Sequence, residues 1–581
     1  MGAEFQYNRD QMTLPAILLS LALSAAAQTG PVGTPAAPAD QPKPAAGDQP
    51  ANRPAVRETP PDSKAYTEAS RIGDPQKKIE ALEKFKRDFP ASVFPADQAI
   101  LSTVVKSFPD QQVRIRGLAK SMYRAASASD KGWMATQIAD QLLDASLLLK
   151  DAEGYARTGV QSMNLALYLK EQLASYEKRK QKPPASEELQ ERFQESRATR
   201  VATLGRVEVK LGQIVKGQKL LEESYAVNPN APAVAGALGE LAAKAGDESK
   251  ALEYLIPACL SGRASATATA ALESVYRKAH NGSIAGLDAM LDSEYRKRFP
   301  NPIHVEAYQP SEKRSDRLVL AEVFTGAGCP PCVGADLAFD AALGRYSRKD
   351  LAVVVYHLHI PRPDPMTNTD TQAAAKSDGV NAVPTFFVDG KKTVGGGGRE
   401  TAKNVFGRFQ PDLEKDLESP AEARLKVEAA LAGNRVNVAA EVDAVNSESK
   451  GLKLQMALVE KELRYTGENG VRFHPMVVRA MGGENGLGFA VEAGAAARLG
   501  HTFDLDAISA AIKAHLDDYE AKGHRGESFK FTEKKYRIDR DELAVVVFVQ
   551  DDKTKHVLQS VYIDLTPAPG ARPVTEADQS R

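Results

Sequence analysis

Residues 317–343 decide the fold of the middle of the chain and read RLVLAEVFTGAGCPPCVGADLAFDAAL. The apolar first part predicts a strand, the glycines predict a turn, and the residues after Cys332 predict a helix. This order places Cys329 at the N-terminus of a helix and Cys332 about one turn further along. Free backbone amides and the helix dipole favour an anion there, so the sequence indicates a reactive thiol pair.

Two prolines separate the cysteines. The first turn of a helix accepts proline, because the amide that proline lacks would have no partner there. The two rings also restrict how far the sulfurs can move apart. We therefore expect Gly328, Pro330 and Pro331 to form the loop of the active site.

A second element follows the predicted helix. Residues 351–360 read as a strand and a helical stretch continues to residue 377, after which residues 380–385 read VNAVPT. Residues 385–388 and 392–394 flank an Asp-Gly turn, a pattern that predicts a β-hairpin. Pro384 stands at the first position of that hairpin, where proline is tolerated and where a cis bond can form a corner.

The CxxC pair before a helix and the later Val-Pro-Thr corner resemble the thioredoxin superfamily. The segments FTGAGCPPC and YHLHIPRPDPMTN are also similar to segments of exported bacterial thioredoxin-like proteins. The resemblance implies protein thiols and disulfides as substrates and no cofactor beyond the redox-active disulfide. It implies roles for five residues: Cys329 as the attacking thiol, Cys332 as the resolving thiol, and Val383, Pro384 and Thr385 beside the substrate backbone.

Three positions depart from the family pattern. Gly328 stands where the family usually has Trp, and Pro330 replaces the Gly of the commonest version. Val323 stands where thioredoxins carry a buried acid that assists the resolving cysteine. Glu322 is one position away and so points to the opposite face of a strand, which makes it a candidate base only if the strand contains a bulge.

The first residues predict export. Residues 14–27 read LPAILLSLALSAAA, an apolar run with the length of a signal peptide and with small residues before Gln28. Because Arg9 is the only basic residue before this run, either Met1 or Met12 can be the start. No later stretch approaches about 20 apolar residues, so we expect a periplasmic or secreted protein with no membrane span after signal removal.

Apolar spacing of three and four predicts helices over residues 63–302. Leu204-Gly205 recurs 34 residues later as Leu238-Gly239, and Gly217 recurs as Ala251. That period resembles tetratricopeptide repeats, with two copies over about residues 198–265. Such an array can bind a protein partner, but it can equally be a spacer or a dimerisation element. Cys259 in the second copy is interpreted as a small apolar side chain.

Beyond residue 419 the apolar period changes to two, which predicts a β-sandwich-like domain with an inserted amphipathic helix over residues 505–522. Its expected role is interaction or packing against the redox domain. The predicted organisation is a signal peptide (1–27), a Pro/Ala-rich disordered linker (28–62), a helical repeat domain (63–302), a thioredoxin-like α/β domain (303–418), the β-sandwich-like domain (419–567) and a flexible tail (568–581).

Composition excludes several classes of function. The chain has 75 Lys+Arg against 76 Asp+Glu, so charge provides no general attraction to nucleic acid. Three cysteines cannot form a four-cysteine zinc site. His357 and His359 could join the thiolates as copper ligands, but we expect polar residues near a strand end and no metal. The glycine run at residues 395–398 lacks the Lys and Ser/Thr of a phosphate-binding loop and is interpreted as a flexible turn.

The sequence thus predicts an exported, multidomain thiol–disulfide oxidoreductase. A binding or scaffold protein in which Cys329 and Cys332 form a structural disulfide is the alternative. An accessible Cys329 is expected for the enzyme. The direction of electron flow, the substrate, the reductant and the oligomeric state stay open at this point.

Overall fold

The computed structural model describes residues 61–524 and 528–565. The predicted signal peptide, the predicted linker up to residue 60 and the predicted C-terminal tail lie outside the described residues. The first described helix begins at Pro61, two residues before the predicted start of the helical repeat domain at residue 63. No helix within the described residues is long and apolar enough to cross a membrane.

The N-terminal half is helical, as predicted. Asp74 caps the N-terminus of the second helix, because its side chain accepts a hydrogen bond from the Lys77 amide. Pro75 occupies the first turn of this helix, where proline fits. The helices of this half are α1 (Pro61–Ser70), α2 (Pro75–Asp88), α3 (Val93–Ser107), α4 (Gln112–Ala125), α5 (Lys131–Asp144), α6 (Leu149–Gln161), α7 (Leu165–Lys178), α8 (Ser186–Lys210), α9 (Ile214–Val227), α10 (Pro232–Ala245), α11 (Glu248–Leu260), α12 (Ala266–Ala279) and α13 (Leu287–Arg298).

Small residues bring neighbouring helices of this half together. A Cβ atom on Gly217 of α9 would lie 2.8 Å from the carbonyl oxygen of Gly205 on α8. A Cβ atom on Gly239 of α10 would lie 2.5 Å from Leu255 on α11. The positions that repeat with a period of 34 therefore lie where two helices meet. Membership of the tetratricopeptide class stays a prediction.

The rest of the chain is a mixed α/β region. Its helices are α14 (Cys332–Arg345), α15 (Thr369–Ser377), α16 (Ala402–Leu417) and α17 (Leu505–Lys522). Its strands are β1 (Val319–Thr325), β2 (Leu351–His357), β3 (Thr385–Val388), β4 (Lys391–Val394), β5 (Arg424–Ala432), β6 (Arg435–Asp443), β7 (Leu452–Arg464), β8 (Phe473–Met481), β9 (Phe489–Val491), β10 (Ala497–Asp504), β11 (Leu543–Asp551) and β12 (Val557–Asp564).

One large sheet runs through this region in the order β12-β11-β7-β8-β2-β1-β3-β4, with β9 beside β7. Strands β1 and β2 are parallel, whereas β3 is antiparallel to β1 and β4 is antiparallel to β3. Strand β8 continues the sheet beside β2 and covers an edge that would otherwise expose unpaired backbone groups. Strands on the two sides of the predicted boundary at residue 418 therefore share one sheet and one core.

The C-terminal segment also contains the second layer of a sandwich. Strands β10, β6 and β5 form a three-stranded antiparallel sheet. Its inward residues, such as Val436 and Val438, pack in one core with Leu454 and Val547 of the large sheet. Residues 552–556 join β11 to β12, which pair as an antiparallel hairpin. The alternating pattern of the sequence thus identified two apolar faces, but not which strands pair.

Candidate functional site

Cys329 and Cys332 form a disulfide, with their Cα atoms 5.3 Å apart. The disulfide lies in the turn that joins the end of β1 to the start of α14. The two prolines between the cysteines are exposed, whereas Cys329 is 1% exposed and Cys332 is 0% exposed. The bond is therefore close to the surface but covered by its neighbours.

The helix begins at Cys332 and not at Cys329, where the sequence placed its N-terminus. Backbone oxygens use the first amides of α14. The Cys332 amide donates to the Cys329 carbonyl at 3.2 Å, and the Gly334 amide donates to the Gly397 carbonyl at 2.7 Å. Stabilisation of a Cys329 thiolate by the end of the helix is therefore weaker than we expected from the sequence, because these donors already have partners.

The predicted corner at residues 383–385 lies beside the disulfide. The Cys329 Sγ atom is 3.7 Å from the carbonyl oxygen of Val383. The Val383–Pro384 peptide bond is cis. The Thr385 hydroxyl donates to the Ala382 carbonyl at 2.8 Å and fixes the start of β3. Two segments that are more than fifty residues apart in the sequence thus meet at one sulfur.

The glycine run at residues 395–398 packs against the disulfide loop instead of forming a free turn. A Cβ atom on Gly396 would lie 1.9 Å from the Pro331 carbonyl oxygen and 2.6 Å from the Pro384 ring. The neighbouring Gly397 amide donates to the Pro331 carbonyl at 2.7 Å. Glycine is required at residue 396 because the backbone approaches its neighbours this closely. The prediction that residues 395–398 form a flexible turn is wrong, because Gly396 and Gly397 pack against Pro331.

Arg362 explains why residue 328 carries no side chain. A Cβ atom on Gly328 would lie 2.8 Å from the Cβ atom of Arg362. The stem of the arginine thus occupies space next to the residue that precedes Cys329. Its guanidinium group pairs with the Glu468 carboxylate at 2.8 Å, although the side chain is 61% exposed.

The β7–β8 loop (residues 465–472) covers the turn before Cys329. The Asn469 amide donates to the Ala327 carbonyl at 3.0 Å. The Asn469 side chain donates to the carbonyl oxygens of Gly326 and Cys329, both at 3.4 Å. Sequence reasoning missed this loop, because it lies about 140 residues away and has no motif.

The helical half holds the same loop from its other side. The Arg263 Nε atom donates to the Glu468 carbonyl at 2.6 Å. The Arg472 guanidinium pairs with the Asp292 carboxylate of α13 at 2.7 Å, and both side chains are buried. Breaking a buried ion pair by removing one partner is costly, so these contacts fix the helical half next to the disulfide.

Glu322 does not lie where a base for Cys332 is needed. Strand β1 pairs with β2 and β3 in unbroken register, so the strand contains no bulge. Thr325 bonds to Asp336 of α14, and Glu322, three residues earlier, points to the opposite face of the sheet. Gln550 donates to its carboxylate at 2.8 Å. Burial, and then the nearby Asp378 carboxylate, raise the pKa of Glu322.

Asp336 is a partly buried acid on the face of the sheet that carries α14. The Thr325 hydroxyl donates to its carboxylate at 2.8 Å. Burial raises the pKa of Asp336 to about 6, against partial opposition from the Thr325 hydroxyl and His357. Asp336 is four residues after Cys332 and therefore follows it by one turn on the same side of the helix. The sequence signal that could have identified Asp336 is a single charged residue in the otherwise apolar stretch VGADLAF.

A buried histidine and aspartate extend this polar cluster. The His357 Nδ1 atom is 2.8 Å from the Asp364 carboxylate, which also accepts a hydrogen bond from the Ala327 amide at 2.6 Å. Although burial raises the pKa of Asp364, His357 and two backbone amides outweigh this effect and lower it. Among the described atoms, the His357 Nε2 atom is buried without a hydrogen-bond partner. The His474 ring lies 5.0 Å from that of His357.

His357 and His359 both contact Asp364 but otherwise have different neighbours. The His359 Nδ1 atom accepts a hydrogen bond from the Asp364 amide, and its Nε2 atom is 3.3 Å from that of His515 on α17. Burial lowers the pKa of His359 to about 4, so the ring is neutral at pH 7. The part of the chain that the structure describes contains no group of three or more His, Cys, Asp or Glu side chains arranged to hold a metal ion.

The third cysteine is separate from these contacts. Cys259 is a free thiol in α11 and packs against the apolar core of the last helices of the helical half. Burial raises the pKa of Cys259 to about 11, so its thiol stays protonated at pH 7.

A comparison of the chain with protein-family models and with curated proteins finds no match.

Proposed function

We propose that this chain is an exported thiol–disulfide oxidoreductase that exchanges disulfides with protein substrates through Cys329 and Cys332. The observation that carries the proposal is the position of their disulfide. The bond lies between the end of β1 and the start of α14, and the Val383 carbonyl oxygen is 3.7 Å from Cys329 Sγ. A substrate strand beside residues 383–385 would therefore place its own sulfur close to Cys329.

The surrounding topology supports the resemblance to thioredoxins. Strands β2, β1, β3 and β4 lie side by side in that order, and β3 and β4 run as an antiparallel hairpin. Helices α14 and α16 pack together through stacked rings of Phe339 and Phe409, whose centroids are 4.5 Å apart. This arrangement agrees with the order of elements that the thioredoxin resemblance implies.

The proposed reaction needs only the two thiols of the reduced protein. The Cys329 thiolate attacks one sulfur of a substrate disulfide, the substrate S–S bond breaks, and the released substrate thiolate takes up a proton. The Cys332 thiol then loses its proton and attacks the Cys329 sulfur of the mixed disulfide. The second substrate thiolate leaves, so the substrate gains two electrons while Cys329 and Cys332 become a disulfide. Oxidation of a substrate dithiol uses the same steps in reverse.

The partly buried Asp336 supports active chemistry over a merely structural bond. A carboxyl group that is removed from water destabilises the fold when it ionises, and a disulfide that only links two residues has no use for one. Asp336, whose pKa is raised to about 6, can accept and return a proton near neutral pH. Perturbed carboxyl groups of this kind are typical of functional sites.

The burial of Cys329 favours a second candidate, a binding protein in which the disulfide is structural. We expected an accessible thiol, but Cys329 is 1% exposed. Asn469 donates to its carbonyl oxygen, and Arg362 packs against the preceding Gly328. Exchange therefore requires the groups that cover the Cys329 sulfur to move. A structural disulfide requires no such movement.

Mixed-disulfide trapping separates the two functions. A Cys332→Ser variant retains the attacking thiol but cannot resolve, so it should accumulate a covalent complex with a disulfide-containing peptide. The matched Cys329→Ser variant should not, and Cys259 is present in both variants. Equal trapping by the two variants, or no trapping by either, would favour the structural disulfide.

A further inference from the structure

A cavity of about 420 Å³ opens beside the disulfide loop. Pro330 and Val333 form one wall of the cavity, and the turns of the helical repeats form the opposite wall. Phe299, at the end of the helical half, and Glu468 of the β7–β8 loop close the sides. Ligand pockets have volumes of about 300–1,000 Å³, so the cavity can hold part of a peptide.

Most of the cavity wall is apolar. Prolines contribute at four positions from two distant parts of the chain, which are Pro229, Pro232, Pro257 and Pro330. Together with Phe299 and Val333 they present ring and methyl surfaces to the cavity. An apolar side chain that enters this cavity removes nonpolar surface from water on both sides of the contact, which favours binding.

Two arginines give the cavity a positive charge. Arg263 reaches it from the helical repeats, and Arg399 reaches it from the segment after the glycine run. The Arg399 Nη1 atom donates to the carbonyl oxygens of Phe299 and Pro300, at 3.2 and 2.8 Å, so the guanidinium group is held in place. The Arg263 Nε atom is held by the Glu468 carbonyl.

These two cations have no carboxylate partner within the described part of the chain. Glu468 also lines the cavity, but its carboxylate pairs with Arg362 on the far side of the loop. None of the ion pairs among the described residues includes Arg263 or Arg399. The cavity is therefore complementary to a ligand that carries a negative charge. Charge complementarity distinguishes between partners more strongly than apolar contact does.

We propose that this cavity binds an acidic and partly apolar peptide segment that flanks the cysteine of the substrate protein. The inference rests on the proposed function, because Pro330 connects the cavity to Cys329. The substrate sulfur reaches Cys329, a neighbouring apolar side chain contacts Val333 and Phe299, and a carboxylate approaches Arg263 and Arg399. The helical repeats thereby select substrates for the thiol pair.

Two peptide disulfides of equal length test the inference. One carries Leu and two Glu residues beside its cysteine, and the other carries Leu and two Lys residues. The reduced full-length chain should react faster with the acidic peptide, by about tenfold for two weakly screened charge pairs. The preference should disappear near 1 M salt, where the Debye length is about 3 Å.

Variants locate the preference in the cavity. Arg263→Gln and Arg399→Gln should each lower the rate with the acidic peptide and leave the rate with the basic peptide equal or higher. Arg399→Lys keeps the charge and should retain most of the preference, which separates charge from a loss of folding. Arg435→Gln, an exposed arginine on β6 far from the cavity, is the matched control.

The outcomes distinguish this inference from the function on which it rests. If neither peptide reacts with the reduced chain, the proposed thiol exchange is wrong. If both react at the same rate at low salt, the exchange stands and the acidic preference is refuted. A preference that survives both arginine variants also refutes it, because the charge would then act elsewhere.

Discussion

The backbone of Gly396 lies against the carbonyl of Pro331, so closely that a Cβ atom on the glycine would lie 1.9 Å from the oxygen. The same Cβ atom would lie 2.6 Å from the Pro384 ring. Because Gly396 has no side chain, its backbone can contact both the loop between the two cysteines and the corner beside the sulfur. The positions of the reactive groups depend on this contact.

A Gly396→Ala substitution tests this relationship. The added methyl group must displace backbone, so we expect a loss of about 1–3 kcal/mol in the free energy of unfolding and a changed rate of disulfide reduction. Urea unfolding and timed alkylation after dithiothreitol measure the two effects. Gly407→Ala in α16 is the control, since a Cβ atom there meets nothing within 4 Å and alanine favours a helix. Equal behaviour of the two variants would contradict the close contact.

Removal of the Asn469 side chain should uncover Cys329. The variant Asn469→Ala loses both hydrogen bonds to the carbonyl oxygens of Gly326 and Cys329. Because two long hydrogen bonds of about 0.5 kcal/mol each are lost, we expect reduction by dithiothreitol to become about fivefold faster. The exposed Asn434, which bonds to Asp506 far from the disulfide, gives the control Asn434→Ala. An unchanged rate in Asn469→Ala would mean that the loop does not limit access.

Asp336 should make the stability of the protein depend on pH. Its pKa in the folded chain is about 6, above the ordinary 3.8. The folded state therefore binds more protons than the unfolded state between these values, and stability decreases as the pH rises from about 4 to about 6. Relative to wild type, Asp336→Asn should gain about 1–3 kcal/mol over this interval, because the amide does not ionise.

Urea unfolding at pH 4, 5, 6 and 7 measures the effect of Asp336. The control is Asp412→Asn on the exposed side of α16, which should follow the wild-type curve. A constant difference between Asp336→Asn and wild type across the interval would show that the carboxyl group does not titrate there.

Glu322 should be dispensable for exchange. It lies on the face of the sheet opposite to α14, where Gln550 donates to its carboxylate. A Glu322→Gln variant should therefore retain the wild-type rate of peptide-disulfide reduction, whereas Asp336→Asn should slow the resolving step. Single-turnover kinetics with a peptide disulfide follow both. A loss of rate in Glu322→Gln without unfolding would restore the role that the sequence suggested for this residue.

Local patterns predicted the elements around the disulfide. The strand ending at Thr325, the helix starting near Cys332 and the hairpin after Pro384 are all present. Each of these depends on residues that are close in sequence, such as apolar runs and turn residues. The predicted start of this helix, Cys329, was three residues too early. The helix begins at Cys332, because the residues between the two cysteines form a turn.

Long-range packing could not be predicted from one sequence. Asn469 and Arg362 reach the disulfide turn from loops that carry no motif. The alternating pattern after residue 419 identified strands with apolar faces, but strand pairing depends on register and on free sheet edges. For that reason the continuation of the large sheet through β8 was not foreseen.

A glutathione redox titration of the chain tests the central claim most directly. Alkylation followed by mass measurement reports the state of Cys329 and Cys332, with Cys259 as an internal reference that stays reduced. Our account predicts a midpoint between about −120 and −270 mV, the span of known exchange catalysts. A midpoint below about −300 mV would contradict it, because that value is typical of a structural disulfide.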